Sequence, residues 1–84
     1  MDGITPRLAA IWRELLGTAR VGLDDDFTDL GGHSVFVMEM LGRVADEFAV
    51  TITIDDVLTF RTVRSLAHRI ETLRAGQAAG LTKP

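Results

Sequence analysis

Apolar residues recur at helical spacing in three separate segments of this chain, and this pattern constrains the fold more than any other feature. Eighty-four residues suffice for one small domain and not for two cores. The three stripes contain Leu8, Ile11, Trp12, Leu15 and Leu16, then Val37, Leu41, Val44 and Phe48, then Val63, Leu66, Ile70 and Leu73. The spacing therefore predicts an all-α protein with one continuous core.

Capping residues predict where these helices begin and end. Thr5-Pro6 is typical of a helix start, and Gly17 is typical of a helix end. The second helix is predicted from Ser34 to about Phe48. The segment VTITIDDVLTF alternates like a strand but has no partner strand, so it predicts an extended loop and then a short helix capped by Asp55. A last helix is predicted from Thr62, which completes a four-helix bundle with three longer helices and a short third one.

The predicted domain comprises residues 1–75, and residues 76–84 are expected to form a flexible tail or linker. A connection from Gly17 to His33 is long for so small a domain, and loops of this length are usually functional or anchored. Its expected anchors are Val21, Leu23, Phe27 and Leu30. The expected core consists of Leu8, Ile11, Leu15, Val37, Leu41, Val44, Phe48, Leu66 and Ile70.

Composition excludes several functions. The chain has no cysteine, which excludes disulfides and thiolate chemistry and fits a cytoplasmic protein. The net charge of −3, without a basic stripe, argues against nucleic-acid binding. No apolar run is long enough to cross a membrane, and the opening residues do not match a secretory signal. Asp24, Asp25, Asp26 and Asp29 fail the calcium-loop pattern in both registers, so no metal is expected and they are interpreted as a solvated acidic loop.

The stretch DLGGHSVF raises the question of what Ser34 does. A nucleophile elbow is excluded because Phe36 stands where a second glycine is needed and no strand precedes the serine. Ser34 is a good N-cap, but a cap does not explain Gly31 and Gly32, which suit a sharp bend or a close approach. An exposed hydroxyl at a bare helix start suits attachment of a phosphate-containing group by another enzyme.

The sequence DDFTDLGGHSV resembles the attachment motif of peptidyl carrier proteins, the thiolation domains of nonribosomal peptide synthetases. IWRELLG, VGLDDDF and FRTVRSLA are similar to other parts of that family, so the resemblance covers most of residues 5–73. Three positions depart from the family pattern. Thr28 stands at a usually aromatic position, Val35 at one usually occupied by leucine or isoleucine, and Arg61 at one that is often proline.

This resemblance implies a four-helix bundle of the acyl or peptidyl carrier type. It also implies that Ser34 carries 4'-phosphopantetheine from coenzyme A, whose thiol holds an aminoacyl or peptidyl group as a thioester. The implied partners are a phosphopantetheinyl transferase, an adenylation enzyme, and condensation, thioesterase or tailoring enzymes. The domain itself would be a non-catalytic, monomeric cytoplasmic carrier.

Residues around Ser34 are expected to meet these partners. On a helical wheel, the predicted core stripe of the second helix centres about 310° from Ser34, and Phe36 falls about 110° from that centre, on a charged face. Phe36 and Met38 are the main docking candidates, with Val35 and His33 beside them.

Two alternatives remain open at this point. An acyl carrier of polyketide or fatty acid synthesis would hold the same arm. Such carriers usually have an acidic residue before the serine, where this chain has His33. From a different class, the chain would be a helical interaction module in which Ser34 is only a helix cap.

Overall fold

The computed structural model describes residues 3–80, with side chains described for residues 3–76. It contains the helices α1 (Ile4–Leu16), α2 (Ser34–Phe48), α3 (Ile54–Thr59) and α4 (Val63–Gly80), and within residues 3–80 it contains no strand. The prediction of three longer helices, a short third helix and a long first loop is confirmed. Helix α1 packs against both α2 and α4, while α3 lies against α2 and α4.

The core lies where α1, α2 and α4 meet, and it also takes in the long loop and the α2–α3 connection. Its largest fully buried side chains are those of Trp12, Phe27, Leu8, Met40, Leu66, Ile70, Val44, Val50, Val57 and Val63. Seven of the nine expected core residues are buried, whereas Leu15 and Leu41 are only partly buried. Met40, which was absent from the expected core, is 0% exposed. Its side chain packs in the core in place of the Leu41 side chain that was predicted to do so.

Helix α1 begins earlier than the sequence predicted. It starts at Ile4 after Gly3, which provides no side-chain cap, so Thr5-Pro6 lies inside the first turn. Proline is tolerated there because the first N–H groups of a helix have no helical acceptor, and the buried Ile4 side chain stabilises the additional residues. The predicted stop is confirmed, since Gly17 ends the helix at φ 65°.

The segment between α2 and α3 is neither helix nor strand, in line with the predicted loop, and Val50 and Ile52 are buried in the core. Helix α4 starts at Val63, and the Thr62 hydroxyl accepts the Ser65 N–H at 3.1 Å. This helix continues to Gly80, so the domain boundary expected at residue 75 does not coincide with the helix end. Residues 81–84 of the expected tail lie outside the described residues. None of the helices in residues 3–80 has the length and apolar character needed to span a membrane.

Candidate functional site

Ser34 is the first residue of α2, so it does not occupy the N-cap position for which a serine is well suited. The carbonyl of His33 accepts the N–H groups of Phe36 at 2.9 Å and Val37 at 3.1 Å, so His33 is the N-cap. The His33 side chain makes no capping hydrogen bond. Ser34 is exposed, so its hydroxyl lies open to solvent at the start of the helix.

Two glycines bend the loop immediately before this serine. Gly31 has φ 96°, a conformation that glycine adopts far more readily than other residues. Gly32 donates its N–H to the Phe27 carbonyl at 2.9 Å, which folds the chain back over the Phe27 ring. Phe27 is 1% exposed and meets Trp12 edge-on, with 4.9 Å between the ring centroids. The backbone that leads to Ser34 is therefore anchored in the core.

Backbone hydrogen bonds also hold the loop against the start of α4. The Phe27 N–H donates to the Arg61 carbonyl at 2.7 Å, and the Arg64 N–H donates to the Leu23 carbonyl at 3.0 Å. Phe27 is thus confirmed as an anchor. The side chain of Leu23 is 36% exposed, so this residue anchors the loop through its carbonyl and not through apolar packing as predicted.

The acidic loop is tied down by arginines, a pairing that the sequence did not predict. Asp24 pairs with Arg64 at 2.9 Å, and Asp26 pairs with Arg61 at 3.1 Å. The hydrogen bond from Arg64 lowers the pKa of Asp24, and hydrogen bonds from the Thr28 hydroxyl and amide lower the pKa of Asp26. Within the described residues, no group of three or more histidine, aspartate or glutamate side chains is placed to hold a metal ion.

A groove of about 400 Å³ opens beside Ser34, between the long loop, α2 and α3. It is mainly apolar, and Met38, Ile54 and Leu58 on its walls expose 57%, 45% and 53% of their surface. The residues that line it are Phe27, Thr28, Gly32, His33, Ser34, Val37, Met38, Ile54, Val57, Leu58 and Arg61. Ile54 and Leu58 were missed because sequence periodicity does not show which face a short helix turns toward α2, and Arg61 was missed because it lies in the connection between α3 and α4.

The wall formed by α3 is fixed by a capping box and an ion pair. Thr53, and not Asp55 as predicted, is the N-cap of α3. Its N–H donates to Asp56 Oδ2 at 2.9 Å, and its hydroxyl accepts the Asp56 N–H at 3.1 Å. Arg69 Nε donates to Asp56 Oδ1 at 3.0 Å, and its guanidinium lies 5.9 Å from the ring centre of Phe60. Burial disfavours the charged form of Asp56, but the Thr53 and Arg69 contacts outweigh it and lower the pKa.

The four residues expected to meet partners differ in their surroundings. Val35 and Met38 are 59% and 57% exposed, and His33 is also exposed. Phe36 is half-buried against the core and stacks on the His33 ring at 6.1 Å between centroids. The prediction that Phe36 lies on the charged face of α2, away from the core, is thus wrong in part. The structure places His33 and Met38 in the groove with Ser34, while Val35 and Phe36 do not line it.

Comparison with known families gives a match over most of the chain. The model of the family described as "Phosphopantetheine attachment site" matches residues 6–70. Tyrocidine synthase 2 of Brevibacillus parabrevis is 38% identical over 77 residues, which cover 92% of this chain and 2% of that protein. Surfactin synthase, chondramide synthase and other synthases of this kind match at similar identity, and the chain spans only 1–2% of the length of the first such relatives.

Solved structures show the same fold. BlmI, a type-II acyl-carrier protein of Streptomyces verticillus involved in bleomycin biosynthesis, is 32% identical with a TM-score of 0.79. The match covers 82% of this chain and 83% of that one. The structure of the phosphopantetheine transferase Sfp in complex with coenzyme A and a peptidyl carrier protein also contains a matching chain. That chain is 28% identical to this one, with a TM-score of 0.81. That match covers 86% of this chain and 94% of the other.

Proposed function

The chain belongs to the family of phosphopantetheine attachment-site domains, and we propose that Ser34 is its attachment residue. One observation carries this proposal. Ser34 is exposed at the first position of α2, directly after a loop that Phe27 anchors in the core. A hydroxyl that is both accessible and fixed in place is what a modifying enzyme requires of its substrate.

The residues around Ser34 fit the prosthetic group that the family carries. The first N–H groups of α2 have no helical acceptor, so they favour an anion at Ser34. The adjoining groove offers apolar surface to a flexible arm, and its volume of about 400 Å³ leaves room for part of that arm. When bound, 4'-phosphopantetheine supplies a terminal thiol that holds the cargo as a thioester.

In the attachment step, coenzyme A is the donor of the phosphopantetheine group and a transferase is the catalyst. Ser34 Oγ forms a bond to the phosphorus that carries the pantetheine chain, and the pyrophosphate bond of coenzyme A breaks. Adenosine 3',5'-bisphosphate leaves, and the hydroxyl proton passes to a base of the transferase. The chain itself contributes the positioned hydroxyl.

We further propose that the domain carries aminoacyl or peptidyl groups in nonribosomal peptide synthesis. The similarity to tyrocidine synthase 2 and to a peptidyl carrier protein supports this assignment. The proposed partners are a phosphopantetheinyl transferase, an adenylation enzyme, and the condensation, thioesterase or tailoring enzymes that receive the cargo. Domains of this family are generally non-catalytic, and we propose the same for this chain. The monomeric state and cytoplasmic location expected from the sequence stay predictions.

An acyl carrier is the second candidate, because BlmI is described as an acyl-carrier protein and is 32% identical. Both candidates have the same arm and differ in the enzyme that loads it. Incubation of the phosphopantetheine form with adenylation enzymes and amino acids, or with acyltransferases and acyl-coenzyme A, separates them. Aminoacyl loading supports the first candidate, and exclusive acyl loading supports the second.

Intact-mass measurement tests the assignment of Ser34. The protein, Ser34→Ala and Ser65→Ala are each incubated with a phosphopantetheinyl transferase and coenzyme A. Ser65 is a matched control because it is also a serine near a helix start, but its hydroxyl is half-buried and bonded to Thr62. Wild type and Ser65→Ala should gain one phosphopantetheine mass and Ser34→Ala none. Modification of Ser34→Ala would refute the assignment.

A further inference from the structure

Arg61 differs in charge from the other residues that line the groove beside Ser34. Among the described residues that line this groove, it is the single arginine, and no lysine, aspartate or glutamate accompanies it. Its backbone is fixed, because its carbonyl accepts the Phe27 N–H at 2.7 Å. A residue with a permanent positive charge therefore borders a mainly apolar groove that Ser34 also lines.

The Arg61 side chain is held loosely. Its ion pair with Asp26 joins Nε to Oδ2 at 3.1 Å, and 52% of the side chain is exposed. Asp26 does not depend on this pair, because the Thr28 N–H donates to its Oδ1 at 2.8 Å and the Thr28 hydroxyl donates to the same oxygen. Arg61 can therefore leave Asp26 without stranding a carboxylate that has no donor.

A phosphodiester on Ser34 would add a negative charge at the rim of this groove. Guanidinium groups bind phosphate oxygens with two parallel hydrogen bonds, and such charge-assisted bonds are stronger where apolar surroundings reduce screening. Resting on the proposed attachment at Ser34, we propose that Arg61 turns from Asp26 to the phosphate once the arm is attached. Arg61 is then a positioning residue, which holds the first part of the arm against the groove.

Arg64 provides a matched control within the same loop contact. It also pairs with a loop aspartate, Asp24, through Nε at 2.9 Å, and 63% of its side chain is exposed. It does not line the groove. Arg61→Gln and Arg64→Gln each remove a positive charge and an ion pair with the loop. Only Arg61→Gln removes a cation from the groove that Ser34 lines.

Nuclear magnetic resonance tests the proposal without measuring carrier activity. Wild type, Arg61→Gln, Arg61→Lys and Arg64→Gln are labelled with ¹⁵N and converted by a transferase with coenzyme A, and conversion is verified by intact mass. We expect the Nε–H resonance of Arg61 to shift on conversion while that of Arg64 stays in place. The phosphorus resonance should shift in Arg61→Gln, shift less in Arg61→Lys, and match wild type in Arg64→Gln. Melting curves of the unconverted proteins establish that each variant is folded.

The experiment distinguishes failure of the proposed function from failure of the proposed role of Arg61. If wild type gains no phosphopantetheine mass, the proposed function is wrong and this inference falls with it. If the mass is gained but the phosphorus resonance is the same in wild type and Arg61→Gln, the arm is attached without Arg61 and only the inference is overturned. An equal phosphorus shift in Arg61→Gln and Arg64→Gln would also overturn it, because the effect would then come from net charge.

Discussion

The ring of Phe27 lies so close to the backbone of Gly32 that no side chain fits between them. A Cβ atom added to Gly32 would stand 2.2 Å from Phe27 Cε2 and 2.7 Å from the Phe27 carbonyl oxygen. The ring has no room to retreat, because it is 1% exposed and packs edge-on against Trp12. Gly32 is therefore required by close packing, whereas Gly31 is required by its positive φ.

Gly32→Ala should destabilise the fold by about 1–3 kcal/mol, because the added methyl group overpacks the Phe27 site. The measurement is urea unfolding followed by the fluorescence of Trp12, the single tryptophan of the chain. The control is Gly42→Ala, where a Cβ meets nothing within 4 Å inside α2. That change should stabilise the protein by about 0.5–1 kcal/mol because glycine is a poor helix former. Equal stabilities for the two variants would contradict the packing argument.

Met40→Ala should cost about 2–5 kcal/mol of unfolding free energy, since its side chain is fully buried. Leu41→Ala should cost clearly less, because Leu41 is only partly buried at the edge of the core. Both variants remove an apolar side chain from neighbouring positions of α2, so each serves as the control for the other. Chemical denaturation measures both, and a larger loss for Leu41→Ala would place the core stripe back where the sequence predicted it.

Asp56 should make the fold sensitive to acid. Its pKa is lower in the folded protein than its usual value of 3.8, so the native state binds fewer protons than the unfolded chain. The stabilisation is present well above that value and is lost as the pH falls through the folded pKa. Asp56→Asn should cost about 1–3 kcal/mol near pH 7, because it weakens the capping box and removes the Arg69 pair.

The pH dependence of stability tests the contribution of this carboxylate. Between about pH 5 and pH 3, Asp56→Asn should lose less stability than wild type, because one of the groups that titrate has been removed. Asp55→Asn removes a carboxylate from an exposed neighbour outside the capping box, so it is the control for loss of a negative charge at the start of α3. Thermal melting at several pH values in this range measures the loss of stability. Equal losses for wild type and Asp56→Asn would show that Asp56 does not contribute to the acid sensitivity of the fold.

The order and type of the helices could be predicted from the sequence, because apolar spacing identifies the three longer helices. The short helix was predicted from a capping residue and from the lack of a partner strand. The bounds of α2 were predicted correctly, but its core face was rotated. The buried residues Val37, Met40, Val44 and Phe48 centre at about 285° from Ser34, and not at about 310°. This rotation buries Met40, leaves Leu41 at the edge and brings Phe36 into partial contact with the core. It depends on where α1 and α4 lie, which no periodicity within α2 reports.

The site could be predicted only in part. Ser34 was selected because two glycines precede it at a helix start and because its surroundings resemble a known motif. Its place as the first residue of the helix depends on the His33 carbonyl. The groove was missed because it forms between the loop, α2 and α3, which are separate in sequence. The pairing of Arg61 with Asp26 was missed for the same reason. Spacing along the chain does not reveal which arginine meets which aspartate.

Met38 should contribute to partner recognition and not to folding. It is 57% exposed on the groove wall, so Met38→Ala should change the free energy of unfolding by under about 0.5 kcal/mol. If it anchors a partner, the same change should lower kcat/KM of arm transfer or aminoacyl loading about fivefold or more. Leu23→Ala is the control, since Leu23 is also exposed but does not line the groove. Equal transfer rates for Met38→Ala and Leu23→Ala would remove Met38 from the docking surface.

Peptide fragmentation determines whether Ser34 itself carries the phosphopantetheine arm. Cleavage after arginine releases residues 21–43 as one peptide, in which Thr28 and Ser34 are the hydroxyl-bearing residues. After treatment with a phosphopantetheinyl transferase and coenzyme A, tandem mass spectrometry locates the added mass within this peptide. We expect the full phosphopantetheine mass on fragments that contain Ser34 and none on fragments that end before it. Added mass on Thr28, or on a peptide outside residues 21–43, would show that Ser34 is not the attachment residue.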